Sequence, residues 1–138
     1  MRYLKILLLI IFLTVSCATT ADYTVSEPVY NIISGTVLYP NNLYFPARVR
    51  LEIALKERND NTSAFNEVVS QSIRNPQRFP VNFILRYDKD DISRSKEYYI
   101  SVELFKENED IPYLESKLTH LPPLSGNESI IIELERIK

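Results

Sequence analysis

Tryptophan is absent from this 138-residue chain, and glycine, histidine and cysteine occur only two, one and one times. A P-loop or a dinucleotide-binding turn needs several glycines close together, and Gly35 and Gly126 lie far apart, so nucleotide-binding enzymes of those types are excluded. One histidine, His120, and one cysteine, Cys17, cannot build a structural zinc site or an intramolecular disulfide. A serine hydrolase would have His120 as its only imidazole base, and no Gly-x-Ser-x-Gly elbow occurs. An excess of one charge is lacking too. Sixteen basic against 18 acidic side chains leave a formal −2, too weak a field to hold a nucleic-acid backbone, so no nucleic-acid partner is expected. Asp88, Asp90 and Asp91 lack the glycine turn and closing glutamate of a calcium loop, and Asp88 is expected to bond its own backbone in a solvated turn. The chain is expected to be non-enzymatic, with no cofactor and no metal.

What is present describes one folding domain: 45% hydrophobic, 25% charged and 11% aromatic residues. Arg2 and Lys5 precede Ile6 to Val15, an uncharged apolar run that stops at Ser16, short of the roughly 20 residues a membrane span needs. This reads as a signal peptide. Leu13-Thr14-Val15-Ser16-Cys17 resembles the lipobox of bacterial lipoproteins, with Thr14 departing from the usual leucine. The resemblance implies cleavage after Ser16, a diacylglycerol on the Cys17 sulfur and an acyl chain on its amine. The alternative is an ordinary cleavage near Ala18 or Ala21 that leaves a soluble protein. Several acyl chains exceed what stable membrane attachment requires. Ala18 stands where an aspartate would retain such a lipoprotein at the inner membrane, which points to the periplasmic face of the outer membrane. Cleavage removes two of the 16 basic residues, leaving 14 against 18 acidic, a formal −4. The expected organisation is a lipoprotein signal peptide over 1–16, a lipidated N-terminus and tether over 17–29, and a β domain over 30–138. Ala18 to Pro28 reaches at most roughly 35 Å when extended at ~3.3 Å per residue.

From residue 30 onward the apolar residues alternate and are β-branched or aromatic. Strands are predicted over Ile32–Tyr39, with Gly35 at a bulge or close backbone approach, over Val49–Lys56, Glu67–Ile73, Phe79–Leu85, Tyr98–Phe105, weakly over Ile111–Leu118, and over Ile130–Glu135. The third also fits a helical stripe through Phe65, Val68, Val69 and Ser72, but strand is preferred. Pro80 suits an edge strand. Seven short strands with a turn about every ten residues predict an all-β, antiparallel sandwich of immunoglobulin-like size, with a small barrel as the other solution. Ile92 followed by Tyr98 across a polar turn has the layout of a tyrosine corner.

Ile33-Ser34-Gly35-Thr36-Val37, Val49-Arg50-Leu51-Glu52-Ile53, Phe79-Pro80-Val81-Asn82-Phe83 with Tyr87-Asp88, and Ile92 before Tyr98 fall in an order that resembles the YbaY/YscW-like bacterial lipoprotein family. The resemblance covers roughly residues 33 to 105. Phe45-Pro46-Ala47 and Asn108-Glu109-Asp110 depart from it, where members carry a double proline and a turn glycine. Some members resemble type III secretion pilotins, which bind a secretin subunit and assist its assembly in the outer membrane. The implied function is therefore an outer-membrane lipoprotein that binds or assists another envelope protein, such as a secretin subunit. The alternative is a β domain that holds an apolar small molecule or lipid. Tyr39, Tyr44, Phe45, Tyr99 and Phe105, aromatics off the obvious core faces, are the candidate binding surface, and Leu121 to Leu124 is read as a polyproline II extension beside it. An exposed sheet edge is a further route to a partner.

Overall fold

A computed structural model describes residues 29–59, 62–121 and 129–137. The signal peptide, Cys17 and the tether lie outside the described residues, as do Pro122–Leu124 of the polyproline stretch. Eight strands account for nearly all regular structure: β1 (Tyr30–Leu38), β2 (Val49–Arg58), β3 (Phe65–Arg74), β4 (Val81–Asp88), β5 (Tyr98–Lys106), β6 (Leu114–Ser116), β7 (Thr119–His120) and β8 (Ser129–Arg136). A single 3₁₀ turn, Lys89–Asp91, follows β4, and the Asp88 carboxylate caps it by accepting from the Asp90 N–H at 2.9 Å.

The all-β expectation holds, but the architecture differs from an immunoglobulin-like sandwich. The strands form one sheet in the order β3-β2-β5-β6-β8-β1-β4, with the short β7 also pairing to β5. β8 is the reason. Its first half runs parallel to β1 (Ser34 opposite Ser129 through Leu38 opposite Glu133), and its second half runs antiparallel to β6 (Ser116 opposite Leu134, Leu114 opposite Arg136). Two groups that would otherwise be the separate layers of a sandwich are thereby joined, and the sheet curls until its end strands, β3 and β4, approach each other. The result is a barrel closed everywhere except between β3 and β4.

Alternation fixes which face fills this barrel. Leu51, Ile53 and Leu55 of β2, Ile100, Val102 and Leu104 of β5, and Phe83, Leu85 and Tyr87 of β4 are all buried, with Ile33 and Val37 of β1 and Ile132 and Leu134 of β8. Gly35 is a close approach rather than a bulge. A Cβ there would stand 2.6 Å from the Phe83 ring and 2.7 Å from the Ile130 carbonyl oxygen, so only glycine lets β4, β1 and β8 pack around that ring.

The bulge lies elsewhere, where the β2–β3 register shifts between Leu55 and Lys56: Leu55 faces Val69, but Lys56 faces Glu67. Val68 is the extra residue, and two consecutive half-buried valines result, which accounts for the helix-like spacing in that segment. The predicted strand over Ile111–Leu118 is shorter. Only Leu114–Ser116 joins the ladder before the chain shifts to β7. Across that break the Ser116 hydroxyl accepts from the Val102 N–H at 2.9 Å, doing the work of a missing ladder carbonyl.

Candidate functional site

The turn after β1 builds a concavity at one end of the barrel. Leu43 N–H donates to the Pro40 carbonyl at 3.2 Å, and the Tyr39 phenol donates to the Tyr44 carbonyl at 2.6 Å, so the chain folds back over its own aromatic residue. Tyr39, Phe45 and Phe79 then form a triangle of rings with centroids 5.4, 5.3 and 5.6 Å apart, tilted or edge-to-face as aromatic pairs prefer. With Leu43 and Leu134 they line a cleft of about 740 Å³, and Arg78 and Glu133 place one charge of each sign in its lining. Tyr44 stands beside it, 83% exposed. Burial first, and then the neighbouring Tyr113 phenol, push Tyr39 up to about 12, with Arg136 pulling the other way. The phenol therefore keeps its proton and its bond to Tyr44 throughout the ordinary pH range.

Position matters as much as lining. β1 begins at Tyr30, where the N-terminal segment enters, and its nine residues carry the chain about 30 Å, at roughly 3.3 Å per residue, to the cleft. Cleft and N-terminal entry occupy opposite ends of the barrel.

The five candidate surface aromatics are not brought together. Tyr39, Tyr44 and Phe45 share the cleft end. Tyr99 lies near the other end, on the outer face, between Phe65 at 5.4 Å and His120 at 5.1 Å, both edge-to-face. Its phenol donates to Glu97 at 3.0 Å, which also receives Arg58 at 3.2 Å, and these two bonds hold the Glu97 carboxyl below its usual range, Tyr99 contributing most. Phe105 is only 5% exposed, beneath the Arg50 guanidinium 4.6 Å from its ring centroid. Phe79 is the cleft residue that alternation missed. It precedes Val81 in register but lies ahead of the strand, joined to Pro80 by a cis peptide bond. Pro80 has no N–H to give the ladder, and that was the available signal that the strand starts after it and leaves Phe79 to the loop.

Ile92 packs against the core and Tyr98 is buried, its oxygen accepting from the Ser93 N–H at 2.8 Å, five residues upstream. This backward phenol-to-backbone bond has tyrosine-corner geometry on a curled sheet. Burial raises the Tyr98 pKa, with the Ser93 bond opposing and Glu57 adding to the rise. His120 is exposed in β7, edge-to-face with Tyr99. Among the described residues no three His, Cys, Asp or Glu side chains are grouped to hold a metal ion.

These features meet a known pattern. Residues 29–118 match the family described as type III secretion system lipoprotein chaperone (YscW). The chain belongs to the YscW family. Membership places it among secretion chaperones, a non-enzymatic role. Its fold is that of an alternative pilotin from the type II secretion system of Vibrio cholerae, with a TM-score of 0.67 at 16% identity, covering 80% of this chain and 99% of that one. No curated protein matches the chain.

Proposed function

We propose that this protein is an outer-membrane lipoprotein, anchored through Cys17 on the periplasmic face, that binds a secretin subunit and assists its assembly. The observation that carries this reading is the placement of an aromatic-lined cleft at the barrel end farthest from the N-terminal entry. A tether of at most roughly 35 Å holds the domain near the bilayer while the cleft faces away from it. A cleft of this size, with aromatic rings beside polar groups, suits a client segment that carries both apolar and polar side chains, with Arg78 and Glu133 to orient it.

Cys17→Ser tests the anchor and the role together. The expected result is a protein released from the membrane fraction and a secretin subunit no longer recovered in the outer membrane. Recovery of Cys17→Ser in membranes, or an unchanged secretin distribution, would count against the reading. The same open-ended cleft also suits an apolar small molecule or lipid. A lipid retained in native mass spectra of the wild type and lost in Phe79→Ala would favour that second reading.

A further inference from the structure

The sheet has two free ends, and they are not equivalent. β4 is terminal in the sheet, yet its inward residues Val81, Phe83, Leu85 and Tyr87 are all buried. β3, equally terminal and ten residues long, has no buried residue at all. Its inward positions, Val69, Gln71 and Ile73, opposite fully buried Leu55, Ile53 and Leu51, are only half-covered. The Gln71 Oε1 atom is enclosed without a hydrogen-bond partner. Natural proteins blunt a long free edge with proline, lysine, inward charges or bulges; β3 has its bulge at Val68, but beyond it Val69–Arg74 keeps regular register with β2 and contains no proline, no lysine and no inward charge.

A second observation says what the edge receives. Arg50 and Arg74 stand directly opposite each other on β2 and β3, a like-charge pairing that destabilises a sheet unless an anion offsets it. Glu52 meets Arg50 at 2.9 Å, while Glu107 is engaged by Arg48 at 2.9 Å. Arg74 forms no ion pair among the described residues, and it lines, with Arg50, Asn75, Lys106 and the Arg48-paired Glu107, a cleft of about 330 Å³ at the end of the β3 edge.

We propose that the free edge of β3 captures an extended segment of the client protein by strand addition, with a carboxylate of that segment seated against Arg74. This rests on the reading of the chain as a partner-binding lipoprotein. Backbone hydrogen bonds along β3 supply the grip, alternate side chains of the added strand complete the cover over Val69 and Ile73, and the carboxylate sets the register.

The test uses the full-length lipoprotein in detergent and overlapping 15-residue peptides, about seven alternations at a period of two, spanning the host's secretin subunit, read by amide hydrogen exchange. A peptide bearing Asp or Glu is expected to slow exchange along residues 66–74, to lose at least about tenfold in affinity with Arg74→Glu, and to keep most of it with Arg74→Lys. Protection confined to residues 39–45 and 77–80, with β3 unchanged, would overturn the proposal and leave the proposed function standing. Protection of β3 that instead grows with protein concentration, or that vanishes on deleting residues 18–28, would overturn it in favour of a second copy or the chain's own tether. Peptides that bind nowhere would contradict both the proposal and the function beneath it.

Discussion

Gly35 is the residue on which the barrel turns, because three strands converge there around the Phe83 ring. Gly35→Ala puts a methyl group 2.6 Å from that ring and 2.7 Å from a backbone oxygen, neither of which can move aside cheaply in a filled core. A loss of about 2–3 kcal/mol is expected in chemical denaturation, within the range for overpacking. Tyr39 offers a different test. Its folded pKa lies above the value near 10 of a free phenol, so the neutral form stabilises the fold fully below pH 10, and that contribution is lost as pH rises toward about 12. The difference between ultraviolet titrations of wild type and Tyr39→Phe is therefore expected to show one phenol ionising well above pH 10. A midpoint at 10 would contradict the burial and the Tyr113 contact that raise it. Tyr98 was readable in advance from its six-residue spacing to Ile92, because a corner is a local device. The Tyr39–Phe45–Phe79 triangle was not readable, since two of its members come from one loop and the third from a loop more than thirty residues on, brought together only by β1–β4 pairing.

At the level of elements, period-2 alternation located every long strand, and the differences have identifiable causes. β3 mimicked a helix because the bulge at Val68 sets two half-buried residues side by side. The strand predicted over Ile111–Leu118 is too long because Leu114, Ser116 and Leu118 keep alternating while the ladder stops at Ser116. Ser116 is what makes that break tolerable. Ser116→Ala leaves the Val102 N–H without its acceptor in a part-buried site, and a loss of about 1–2 kcal/mol is expected, measured by thermal or denaturant unfolding. An unchanged stability would mean that the two short strands are held independently of this bond. The sandwich expectation failed at β8 for a reason no alternation could show. A strand's pattern reveals which face is buried, not which two neighbours it joins, and one parallel pairing changed two layers into one curled sheet.

At the scale of the whole molecule, the fold has two working ends. β1 starts where the N-terminal segment arrives and finishes at the aromatic cleft, so anything held in the cleft is presented away from the N-terminal entry. The net charge of −2 offers no general attraction, which leaves recognition to shape, apolar contact and a few placed charges such as Arg78 and Arg74. Family membership agrees with a chaperone role. The most direct measurement is site-specific photo-crosslinking in living cells, with the probe placed at Tyr44 on the cleft or at Ile131 on the outer face of β8. The account predicts a secretin adduct from Tyr44 and none from Ile131. A secretin adduct from Ile131 alone, or no secretin adduct from Tyr44 in cells where the lipoprotein is correctly anchored, would contradict it.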